Sequence, residues 1–130
     1  SKPSSLNTIC KNDFLLKLAG AHRGTLYGPG VYFAESSSKA DEYSEDDKTG
    51  IYRGLYAMLM CRVTLGRVLV TEEVWPDGAK LEAACRGPEA THHSVLGDRE
   101  KTRGTYREFV VFNSKQAYPE FIVIYRRSGS

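Results

Sequence analysis

At 130 residues the chain fits one domain and leaves no room for two. Hydrophobic residues at 41% and charged residues at 26% are ordinary for a globular protein, which at this size buries a core without covalent staples. A net charge of +2 excludes a strongly basic module, so direct nucleic-acid binding is not expected.

The predicted elements run as follows. Leu6, Ile9 and Cys10 recur at helical spacing behind a serine cap, which predicts a short helix over 4–12. Residues 20–30, with four glycines and a proline, are loop. Val31 to Ala34 read as a short buried strand, and Ser36 to Ser38 cap a second short helix running to Tyr43. EDDKTG (45–50) is an exposed turn. The apolar run 54–65 becomes β-branched toward its end, Gly66 interrupts it, and Arg67 to Thr71 resume as strand. Residues 72–107 read as loop with a helical turn around Leu81 to Cys85. Two strands close the chain, 108–113 and 120–126, and SKQAYP between them is too long for a two-residue hairpin. Several strands, short helices and no βαβ alternation predict an α+β domain on antiparallel sheet.

No apolar run reaches membrane-spanning length, and the polar start SKPSSLNTICKNDF is not a signal peptide. Cys10, Cys61 and Cys85 form no CxxC or regular framework. Reduced cysteines and an intracellular location, nucleus or cytoplasm, are expected, without membrane association. His92 and His93 are adjacent and lack ligand partners, so no metal is expected.

Few residues suggest chemistry. Gly28-Pro29-Gly30 precedes a strand, not a helix, so it is no phosphate cradle; it reads as a tight turn whose backbone passes close to something. Tyr32 and Tyr43 flank the serine-rich turn and together suit a planar ring, although tyrosines at such spacing are also ordinary core residues. Glu108 opens an intensely apolar strand, where it is either a strand-entry charge or a carboxylate at the mouth of a cleft. Glu120 enters the next strand in the same way, and position alone does not separate the two. His22-Arg23 and His92-His93 are candidate ligand contacts or plain solvated loops. Ser37, His93 and Glu108 do not make a hydrolase triad, because no GxSxG elbow presents the serine.

Four blocks then fall in order: YGPGVYFAESSSKADEY (27–43), LMCRVTLGRV (59–68), HHSVLG (92–97) and EFVVFNSKQAYPEFIVIY (108–125). Together they resemble the catalytic domain of the poly(ADP-ribose) polymerase-like ADP-ribosyltransferases, and are most similar to the tankyrase branch. The resemblance implies the ADP-ribosyltransferase-like fold of split antiparallel sheets with short helices. It also implies NAD as co-substrate, protein acceptors and release of nicotinamide. Tyr32 matches the tyrosine of the G-x-YFA block, Tyr43 the one that stacks on nicotinamide, and Glu108 the glutamate opening the E-[YF]-V-[IV]-[YF] strand. Glu108 and Tyr32 are therefore the catalytic candidates. Gly30, Tyr32, Ser38, Ala40 and Tyr43 are the NAD-binding ones.

There are departures. Ala40 stands where the family has a serine that bonds the nicotinamide amide, unless Ser38 or water substitutes. Leu15 and Lys17 replace the acid and arginine of an adenosine-side motif, and SEDDKTGIYRG stands where tankyrases carry a zinc insert. The family's HG[TS] histidine and its leading strands have no counterpart after Ser1. Residues 1–130 are thus expected to be the C-terminal part of a single catalytic domain, inactive alone. The alternative is a weak or inactive module that binds NAD or ADP-ribose.

Overall fold

A computed structural model of the chain describes residues 2–4, 26–42, 44–99, 104 and 106–128. The helix expected over 4–12 lies outside them from residue 5 onward, as do Cys10, Leu15, Lys17, His22, Arg23 and Tyr43.

The elements in order are β1 (Val31–Ala34), α1 (Ser37–Asp41), β2 (Tyr56–Val63), β3 (Val68–Thr71), α2 (Gly78–Cys85), β4 (Ser94–Asp98), β5 (Arg107–Val111), a 3₁₀ turn (Ser114–Gln116) and β6 (Ala117–Tyr125). They form two sheets: four strands in the order β1-β5-β4-β3, and an antiparallel pair, β2-β6. Beside the antiparallel ladders stands one parallel pair, β3 with β4, joined through α2. This βαβ unit adds a parallel pair to the antiparallel sheet expected from the sequence, and β4 and the first three residues of α2 fall where the sequence reads as loop. Asp77 explains the start of α2, since its side chain accepts from Lys80 N at 3.2 Å.

The chain changes sheet three times, between β1 and β2, between β2 and β3, and between β5 and β6, and the last two changes fall at local chemistry visible in the sequence. After β2, Gly66 adopts φ +58, a left-handed conformation that ends the apolar run and starts β3 in the other sheet. After β5, the Asn113 side chain accepts from Lys115 N at 3.0 Å and winds the 3₁₀ turn, which delivers β6 to β2. SKQAYP is a crossing between sheets rather than a hairpin, and Thr64 N bonding Gln116 O at 2.7 Å ties the two crossings together.

The main core lies on one face of the four-stranded sheet, where Tyr27, Leu81, Val95, Val110 and Phe112 pack together. In the expected exposed turn 45–50, Asp47 is buried instead. Its carboxylate accepts from Ser4 N at 3.1 Å and Ser4 Oγ at 2.8 Å.

Candidate functional site

The turn before β1 is built by its own residues. Gly28 has φ +104, and Gly30 N bonds Gly28 O at 3.0 Å. The Tyr32 hydroxyl accepts from Tyr27 N at 2.8 Å and donates to Gly28 O at 2.7 Å, so it braces the turn. What the backbone passes close to is β5: a Cβ on Gly30 would meet Val110 Cγ1 and Val111 O, both at 2.7 Å.

β5 is flanked on both sides, by β1 with Ala34 opposite Glu108 and by β4 with Gly97 opposite Glu108. Tyr32 pairs with Val110, so by strand alternation Tyr32 and Glu108 project from the same face. Glu108 is only 8% exposed, and burial raises its carboxyl pKa. The Lys39 and Arg99 cations act against that push and Glu42 adds to it. Glu120, in contrast, is exposed and pairs with Arg62 at 2.6 Å. The structure thus separates two glutamates that strand position does not.

Lys39, Tyr27 and Arg99 escape the sequence reading. Lys39 has a weak signal, as the one basic residue in the serine-rich segment 35–42, while Arg99 has none because the sequence does not mark β4. Tyr27 is 1% exposed, and burial raises its phenol pKa, with Arg99 pulling it down and Glu108 and Asp98 adding to the rise.

α1 carries the remaining candidates. Ser38 is exposed on it, and Ala40 faces a largely apolar cleft of about 310 Å³ between the sheets, lined also by Phe33, Phe109, Met58 and Val123. Phe33 and Phe109 belong to the sheet face opposite Tyr32 and Glu108, so the structure places Ala40 apart from that pair. Of the remaining NAD-binding candidates, Gly30 sits against β5, and Tyr43 lies outside the described residues. His93 braces the sheet crossing, its Nδ1 accepting from Arg67 N at 2.8 Å.

The residues on either side of position 43 are pinned to the second sheet. Tyr125 Oη donates to the Asp41 carboxylate, and Arg127 Nε bonds the same oxygen at 3.0 Å. The Arg127 guanidinium lies 4.0 Å from the centre of the Tyr56 ring. Ser44 Oγ donates to Ala57 O at 2.7 Å. Beyond α1, Arg107 grips Glu35 with two bonds of 2.6 and 2.8 Å, tying the start of β5 to the chain just past β1. Among the described residues no cluster of three His, Cys, Asp or Glu is arranged to hold a metal ion. No helix among them is long and apolar enough to cross a membrane.

A split, mixed-sheet α+β domain with a buried glutamate on its central strand is an ADP-ribosyltransferase-like fold, and comparison with known proteins agrees. The profile of the poly(ADP-ribose) polymerase catalytic domain matches residues 1–127, and the chain belongs to that family. It is 28% identical over 124 residues to human protein mono-ADP-ribosyltransferase PARP12 and 26% identical to the mouse protein. It is 24% identical over 156 residues to the poly [ADP-ribose] polymerase tankyrase of Caenorhabditis elegans. These alignments cover 95 to 97% of the chain, but only 16% of each PARP12 protein and 7% of the tankyrase. The identity to PARP12 exceeds that to tankyrase, so assignment to the tankyrase branch is not supported.

Proposed function

We propose that the chain carries the glutamate-bearing face of an NAD-dependent protein ADP-ribosyltransferase site. The observation that supports this most is Glu108, a buried carboxylate on a strand held from both sides, with Lys39 and Arg99 nearby and Tyr32 on the same face. In the proposed reaction the bond between ribose C1′ and the nicotinamide nitrogen breaks and its electron pair leaves with nicotinamide. A side chain of the acceptor protein adds to C1′ and gives up a proton, with no change of oxidation state. Glu108 accepts from a ribose hydroxyl and stabilises positive charge developing on the ring, an effect strengthened by its dry setting. The relatives named for mono-ADP-ribosyl transfer favour single-unit transfer, and an intracellular setting goes with the proposal.

The alternative, a weak or inactive module that binds NAD or ADP-ribose, has two observations in its favour. Ala40 offers no polar contact, and the Tyr32 hydroxyl is committed to its own turn. Calorimetry with NAD and an assay of nicotinamide release, on the full-length protein and its Glu108→Gln variant, separate the two. Release that collapses in the variant while NAD binding persists supports transfer. Binding without release in the wild type supports the module, and equal release from both proteins removes Glu108 from the chemistry.

A further inference from the structure

We propose that the Tyr27 hydroxyl is a positioning donor for Glu108, fixing the plane of its carboxylate so that one oxygen is held and the other is left for the substrate. This rests on the function proposed above and adds a residue to it.

Tyr27 is 1% exposed, and among the described residues no well-formed hydrogen bond reaches its Oη; Arg99, which pulls its pKa down, is a donor only and leaves the hydroxyl proton without an acceptor. Buried hydroxyls nearly always have partners, so an orphan asks for an explanation. Its location supplies one. A Cβ on Gly97 would lie 2.0 Å from Tyr27 Cζ and 2.4 Å from Oη, so the tip of the ring occupies the space that any other residue at 97 would fill. Gly97 is paired with Glu108. Residues directly opposite across strands project to the same face, with Cβ positions about 4.5–5.5 Å apart. Tyr27 Oη therefore sits beside the root of the Glu108 side chain, in the one cross-strand place made vacant by a glycine.

The ring is also held there. Tyr27 N donates to the Tyr32 hydroxyl at 2.8 Å, the two rings lie 6.3 Å apart, and the Tyr27 ring packs in the main core. Around the pair the charged groups are Lys39 on α1, Glu42 just past it, and Asp98 and Arg99 at the end of β4. Lys39 is the strongest of the cations acting on Glu108, and it approaches from the α1 side. A Glu108 rotamer turned toward β4 brings its carboxylate to the phenol. A neutral donor orients a carboxylate without cancelling the charge that the developing cation on ribose needs.

Tyr27→Phe in the full-length protein removes one oxygen and keeps the ring. The Glu108 side-chain carboxyl is followed by ¹³C NMR titration, identified by its loss in Glu108→Gln, with and without saturating NAD. Steady-state nicotinamide release is measured in parallel across pH. The expected result is an upward shift of the Glu108 titration in Tyr27→Phe with NAD present, and a matching upward shift of the acid limb of activity. The kcat should fall about tenfold with KM for NAD little changed. An unchanged carboxyl titration together with a higher melting temperature overturns the proposal, because that is how an ordinary orphan hydroxyl responds to removal. Difluorotyrosine at position 27, a stronger donor of the same shape, should shift the Glu108 titration downward, and it serves if Tyr27→Phe fails to fold. A wild type that binds NAD without releasing nicotinamide defeats the transfer function alone, and the carboxyl titration still decides the role of Tyr27.

Discussion

The two sheets are made of similar residues and are buried very differently. In the four-stranded sheet, Val95, Val110 and Val111 have no exposed surface, and the glycines beside them touch other atoms closely. In the two-stranded sheet Met60 is 56% exposed and Phe121 58%, and Ile122 and Ile124 are exposed too. The contrast shows that apolar content alone does not make a core; layering does, and among the described residues it is the four-stranded sheet that has a helix and a tyrosine-bearing turn packed over it. Glu108 lies on the more deeply buried sheet, which suits the role proposed for it. The other sheet is joined to it by the bonds among Asp41, Tyr125 and Arg127 and by the crossing at Thr64 and Gln116.

The largest test of that contrast is a pair of truncations. Phe112→Ala in the main core should cost about 3–5 kcal/mol of stability in chemical denaturation. Phe121→Ala in the exposed sheet should cost about 1 kcal/mol or less. Equal costs would mean that the two sheets share one core. Next comes Glu108→Gln, which should slow nicotinamide release on the order of 10²–10³-fold, about 3–4 kcal/mol in the barrier.

The same group has a signature in pH. Its folded pKa is raised, so the folded state takes up the proton before the unfolded state does. Its ionisation therefore costs stability above the folded pKa, and that cost disappears as pH falls through it. Glu108→Gln should melt higher than wild type at neutral pH, and the gap should close in acid. Activity should move oppositely, its acid limb lying above the ordinary glutamate range.

Smaller again is Gly97→Ala, which drives a methyl into the Tyr27 ring and should cost about 1–3 kcal/mol by overpacking. The smallest effect belongs to the join between sheets. The hydrogen bond from Tyr125, with help from Arg127, lowers the Asp41 pKa, so the join is intact above the ordinary aspartate range and is lost as pH falls through the depressed value. Arg127→Gln should leave the cooperative unfolding of the four-stranded sheet nearly unchanged. Amide exchange in β2 and β6 should quicken selectively, which would localise the loss.

Much of this arrangement is legible in the sequence where local chemistry decides it. β1, β2, β3, β5 and β6 are marked by β-branched and aromatic runs, and the close approach at Gly30 by the glycine-proline turn. β4 is not, because Ser94 and Gly97 interrupt its apolar pair, and their reasons are tertiary. Ser94 Oγ donates to Leu65 O at 2.8 Å, and Gly97 makes room for Tyr27. Without β4 the parallel pair cannot be seen, nor can the buried setting that distinguishes Glu108 from Glu120. Tyr32 and Glu108 are singled out by the family resemblance, whereas their shared face follows from strand register, which no single segment encodes.

One contact at the edge of the core constrains the chain's evolution. Gly28, in the turn before β1, and Gly78, at the start of α2, meet backbone to backbone. A Cβ on Gly28 would lie 2.8 Å from Gly78 O, and one on Gly78 would lie 2.8 Å from Gly28 N. The two positions are therefore a single epistatic unit. Once Gly28 is lost and the turn is prised from the helix, loss of Gly78 is comparatively cheap, whereas loss of Gly78 first still leaves Gly28 at φ +104, where any side chain is strained. Substitution histories at 28 and 78 should therefore be correlated in one direction although the residues are far apart in sequence: a lineage that abandons Gly28 should tolerate drift at 78.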